Sequence, residues 1–221
     1  MPAPKARSIL WRVGLVLVMS GLVDLSWTIY QAVQTRSFSY DFTLFVAAIA
    51  VLTGSLSAAD FVRRAAAFGL GGLAVYTPYW LISEPPSLLW ARLRLETAPT
   101  LEEMATTLAL AVLAAWTWRE LSREPVMADA ANRSWAWMTA PRAFAGGVAL
   151  CLVLGVILLP MAYGETGDRA RLDAKAKLGS SFAYHLESLS VTSDSSGRHI
   201  SAVVAAWNDL AVVELPVAWD E

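Results

Sequence analysis

A chain of 221 residues with 56% hydrophobic and 16% charged residues falls well short of the roughly 25% charge of a soluble globular domain. Its formal net charge of −2, from 17 basic and 19 acidic residues, offers no surplus of cations for a phosphate backbone, which excludes nucleic-acid partners. One cysteine, Cys151, and two histidines, His185 and His199, both beyond the last apolar run, exclude an internal disulfide, a thiolate metal cage and a haem held by span histidines, so no metal and no cofactor is expected.

Nearly charge-free stretches of about 20 residues, enough to cross a hydrocarbon core roughly 30 Å thick, recur along the first three quarters of the chain. The expected fold is an α-helical integral membrane protein, with about five transmembrane helices over residues 1–162 and a small C-terminal α+β domain over 163–221. The spans fall near Ile9–Gln31, Phe42–Phe61, Ala66–Ile82, Leu101–Trp118 and Ala143–Met161.

The first span follows Lys5, Arg7 and Arg12, but its apolar part is too long for a signal peptide and no small-x-small cleavage site follows, so a retained helix is expected. Within it, Ser20, Asp24, Thr28 and Gln31 recur at helical spacing and form a polar stripe. A carboxylate at bilayer depth costs about 2.5–3.5 kcal/mol on insertion scales and has to face protein or water. Asp24 therefore glues helices, meets a partner's basic group, or takes part in a proton or cation path. In the second span Ala50, Gly54 and Ala58 follow a small-xxx-small ladder, repeated by Ala145 and Ala149 beside Gly146 and Gly147 in the fifth; such ladders let helices pack closely. Pro78 interrupts the third span near its end, where a proline removes a backbone donor.

Between the third and fourth spans, Ser83–Pro99 carries Pro85 and Pro86, then Leu88, Leu89, Trp90, Leu93 and Leu95 interleaved with charges, the pattern of a short helix lying on a leaflet. Thr100 and Glu103 read as a capping box opening the fourth helix after Pro99. The connection from Arg119 to Ala140 is mixed in charge, ends in Trp135 and Trp137, and reads as a second surface-hugging segment. Nine basic residues (Lys5, Arg7, Arg12, Arg63, Arg64, Arg119, Arg123, Arg133, Arg142) fall in segments on one side and three (Arg36, Arg92, Arg94) on the other. Basic segments stay cytoplasmic during insertion, so the N-terminus is expected inside and the C-terminus outside a plasma-type membrane, as in the inner membrane of a bacterium.

From Tyr163 onward the composition changes to five basic and nine acidic residues. A helix over Gly167–Leu178 is expected, then a three-stranded antiparallel meander, since apolar residues now alternate: Phe182, Tyr184 and Leu186, then Ile200–Trp207, then Val213, Leu215, Val217 and Trp219. Asp194–Gly197 and Asn208–Asp209 supply the turns, and Pro216 places the last strand at an edge. About sixty residues are marginal for an independent core, so the apolar face of Val213, Leu215, Val217 and Trp219 is expected to dock on a partner or on the loop around Leu88–Leu95. The two histidines are not expected to be cross-strand neighbours. Glu102 and Glu103 lack a span histidine to form a metal site, and no nucleophile elbow, metalloprotease, Walker or dinucleotide motif occurs. The expected function is that of a non-catalytic accessory or assembly subunit of a larger membrane complex, with other subunits and lipids as partners; the alternative is a small transporter or channel component using Asp24.

Overall fold

The computed structural model describes residues 3–35, 40–130, 139–194 and 197–220. It is mostly helical, with a three-stranded antiparallel sheet at the C-terminus. In chain order the elements are α1 (Pro4–Thr35), α2 (Thr43–Leu52), α3 (Leu56–Ser83), α4 (Pro86–Leu95), α5 (Thr97–Leu121), α6 (Glu124–Ala130), α7 (Ala140–Tyr163), α8 (Glu165–Leu178), β1 (Ala183–Asp194), β2 (Gly197–Trp207) and β3 (Val212–Asp220). Among the described residues, three helical stretches are long and apolar enough to cross a membrane: Pro4–Val33, Leu56–Ser83 and Ala140–Ile157.

Two expectations about the helices are corrected. The apolar run Phe42–Phe61 is not one helix: α2 stops after ten residues, about 15 Å of helix, because Gly54 takes a left-handed φ of 72° and Ser55 then accepts the Ala58 backbone N–H as a cap for α3. Thr100 and Glu103 do not open α5 either. That helix begins at Thr97, and Pro99 sits in its first turn, where a missing N–H breaks no intrahelical bond; the Thr100 hydroxyl donates to the Glu96 carbonyl at 2.9 Å instead. Helix α3 continues through Pro78. Trp135, Trp137, Arg36 and Arg133 lie outside the described residues.

The chain divides into two compact units. The first comprises Met1–Leu73 and Leu110–Val148. Its main apolar cluster joins Leu10, Val13 and Leu17 of α1 with Ala48 and Val51 of α2, Leu56 and Ala59 of α3, Leu121 and the α6 residue Val126. Ion pairs border this cluster: Glu120 holds Arg12 and, at 2.5 Å, Arg123; Asp60 holds Arg63, at 2.6 Å, and Arg64; and Arg63 also reaches the Met127 sulfur. Helices α3 and α7 meet backbone to backbone: a Cβ on Gly71 would lie 2.1 Å from the Phe144 carbonyl oxygen, and one on Gly147 2.0 Å from that of Phe68.

The second unit comprises Ala74–Ala109 and Ala149–Glu221. Its sheet runs in the order β1-β2-β3, all antiparallel, with an irregularity between Leu186 and Ser188 in β1. One face packs Leu186, Ala202, Val204 and Val217 on Ala170 and Ala174 of α8, flanked by Leu215 and Trp219; Arg169 lies over the Trp219 ring at 5.1 Å. The opposite face packs Ala205, Trp207 and Val212 on Leu88 and Ala91 of α4. The expected cover of the third strand is thus corrected: Leu215, Val217 and Trp219 are covered by α8 of the same chain, and the segment around Leu88 covers the other side of the sheet.

Candidate functional site

Two polar constellations stand out from apolar surroundings, one in each unit. The first is built on α1, a helix of 32 residues. Asp24 is exposed on it, while Ser20, Thr28 and Gln31 are half-buried, so the stripe turns its carboxylate outward and its neutral members toward the protein. Around it Met19, Val23, Trp27, Tyr30 and Val33 are exposed. Tyr40, just before α2, donates its hydroxyl to the Gly21 carbonyl at 2.9 Å. Desolvation first, and then the charges of Asp24 and Asp41, push the Tyr40 hydroxyl above its ordinary pKa. Asp41 accepts the Thr43 backbone N–H at 2.9 Å and the Thr43 hydroxyl, which hold its carboxyl below the ordinary range. The charges of both carboxylates act in the same direction on this phenol. In the sequence Asp24 is the acid that lies well inside a span, whereas Asp41 reads as a loop residue; the Tyr40 hydroxyl on the Gly21 carbonyl ties the segment just before α2 to α1.

The second constellation is centred on Arg92 of α4. Its guanidinium donates to Glu84, just after α3, at 2.8 Å, and to Glu187 in the irregular stretch of β1, with Glu214 of β3 at 3.6 Å. Glu84 is 5% exposed, and its Oε2 and the Arg92 Nε are buried without a partner among the described residues. Three carboxylates share one cation. Burial raises the Glu84 pKa against the pull of Arg92, with Glu103 adding to the rise; burial likewise raises that of Glu187, opposed by Arg92 and reinforced by Glu214 and Glu84. His185, on the same strand, is pushed down by burial and then by Arg171 and Arg92. The arrangement fastens α4 to the sheet through charge-assisted hydrogen bonds. Its four residues are too far apart in sequence for spacing to suggest them.

The small-residue ladders fall differently from their sequence pattern. The break at Gly54 takes Ala50 and Ala58 into separate helices, and Ala145 and Ala149 are exposed while Ala143 and Gly147, on the neighbouring face of α7, are buried. The close approach belongs to Gly71 and Gly147. His185 pairs with Ala205, whereas His199 pairs with Thr192 and Asp220 and lies 2.6 Å from the Asp220 carboxylate. Among the described residues no group of three or more His, Cys, Asp or Glu is placed to hold a metal ion. Comparison with protein-family models, with curated proteins and with solved structures finds no match.

Proposed function

We propose that this chain is a non-catalytic accessory or assembly subunit of a larger membrane complex, whose partners are other membrane subunits and lipids. The carrying observation is the outward-facing Asp24 on a helix long and apolar enough to span a bilayer. A carboxylate facing hydrocarbon costs about 2.5–3.5 kcal/mol on insertion scales, and a partner helix bearing a basic or hydrogen-bonding group removes that cost. The reading takes α1, α3, α5 and α7 as full passages and α2, at about 15 Å, as the helical part of the second of five, with the N-terminus cytoplasmic and the sheet domain outside a plasma-type membrane. Its support is the nine-to-three distribution of basic residues, together with the meeting of Arg12 and Arg123, both assigned to the inner side, on Glu120. The outer domain contributes docking through the part of its sheet around Ser201, Pro216 and Ala218, which is exposed.

The test is co-purification from native membranes. Asp24→Asn keeps hydrogen bonding and is expected to retain most of the associated protein, whereas Asp24→Leu is expected to lose at least tenfold of it. Unchanged association of the Leu variant would overturn the subunit reading. A second reading, a small transporter or channel component using Asp24, is favoured by the exposure of that carboxylate and by the Tyr40 hydroxyl, which ties the segment just before α2 to α1 about one turn before Asp24. Loss of biological activity in Asp24→Asn with association intact would select it.

A further inference from the structure

The first unit contains a cavity of about 660 Å³ walled by α2, α3 and α5, within the roughly 300–1,000 Å³ range of sites that hold small organic ligands. Its walls are almost wholly apolar and partly built from small residues, among them Ala50, Ala66, Gly69 and Ala114, which leave room that larger side chains would fill. Along α3 it extends from Phe61 to Leu73, about 18 Å at the helical rise. The shape is that of a narrow groove beside membrane-length helices.

Thr117 also lines this groove. It is 2% exposed, and its hydroxyl is buried with no hydrogen-bond partner among the described residues. A buried hydroxyl left unpaired is costly, and on a helix it ordinarily bonds back to a carbonyl of the preceding turn. One turn further along α5, Glu120 holds the half-exposed guanidinium groups of Arg12 and Arg123. At the opposite rim Asp41 is occupied by Thr43. Taken from Leu73 toward the end of α5, the sequence of environments is a long apolar channel, one hydroxyl donor, and then cations.

We propose that this groove holds one acyl chain of a membrane glycerophospholipid, with its ester carbonyl accepting the Thr117 hydroxyl and its phosphate near Arg12 and Arg123. Each part of that ligand meets matching chemistry: hydrocarbon on the Ala and Gly walls, an acceptor at the single donor, an anion at the guanidinium pair. The proposal is independent of the role of Asp24.

The experiment uses the full chain, purified in mild detergent, passed through repeated detergent exchange, and weighed intact by native mass spectrometry. One phospholipid per chain is expected to survive. Gly69→Phe plugs the groove at a position where an added Cβ meets nothing within 4 Å, and is expected to lower retention at least tenfold. Thr117→Val keeps the shape, removes the donor, and is expected to lower retention several-fold. Absence of retained phospholipid in the unsubstituted chain overturns the proposal whatever the variants do. Equal retention by Gly69→Phe with an unchanged melting temperature overturns it too, and if that variant does not fold, equal retention by Thr117→Val does so.

Discussion

Glu84, Arg92 and Glu187 show why a buried charge cluster has a pH signature. A carboxylate whose pKa is raised on folding binds its proton more tightly in the native state, so it destabilises that state at pH values above its folded pKa and ceases to do so below its ordinary value. For Glu84 and Glu187 the ordinary value is 4.5, so their contribution makes the native protein more stable as pH falls from neutrality toward 4.5. His185 acts in the opposite sense: its native pKa lies below the ordinary 6.5, and stability is lost as pH falls from 6.5 through that lowered value. Glu84→Gln separates the two. Thermal unfolding followed between pH 4.5 and pH 8 is expected to show the native chain gaining on this variant as the solution is acidified, and a difference that does not change with pH would refute the assignment. Sequence reading misses this cluster because no local pattern brings residues 84, 92, 187 and 214 together; the register of β1 and β3 and the packing of α4 do so. Ser20, Asp24, Thr28 and Gln31 all belong to α1, but spacing carries no information on which side of the helix other elements cover.

At the scale of the elements, local chemistry was legible where period and turn residues agreed, and illegible where two signals competed. The change from helical spacing to alternation locates α8 and all three strands, and Pro216 does lie on an edge strand. The run Phe42–Phe61 is apolar throughout its middle, so hydropathy favours one long helix, while Gly54 and Ser55 carry the stop and restart that divide it. At Thr100 a capping pattern competes with a proline that is tolerated one residue before it. The glycines of α3 and α7 offer a direct test of element packing. Alanine ordinarily favours a helix by about 1 kcal/mol over glycine, and Gly155→Ala, which meets nothing within 4 Å, is expected to be neutral or mildly stabilising. Gly71→Ala drives a methyl group to within 2.1 Å of the Phe144 carbonyl oxygen, and is expected to cost about 1–3 kcal/mol as the two backbones separate. Paired melting curves in the same detergent measure both, and equal midpoints would show that the crossing yields freely.

For the whole molecule, the strongest quantity in the sequence is the asymmetric placement of lysine and arginine, and it predicts a result that no single helix determines. A phosphatase active only outside the cytoplasm, fused after Glu221, is expected to be active in cells, and the same enzyme inserted near Ala130 is expected to be silent. Reversal of that pattern would overturn the orientation, and equal activity of the two fusions would overturn the passage number. The three stretches that satisfy length and apolarity by themselves fit a membrane protein; the two further passages of the proposed reading rest on α2, which ends just before the break at Gly54, and on α5, which has flanking charges.

The sheet has a mechanical consequence. It is gripped on one face by α4 and on the other by α8, and each gripping helix is joined to a long one, α3 or α7, by a connection of no more than two residues. A sideways load on the strands therefore has little slack in which to dissipate: it passes through two short tethers into the ends of α3 and α7 that belong to the same unit, as a pull on helices rather than a stretch taken up in a loop.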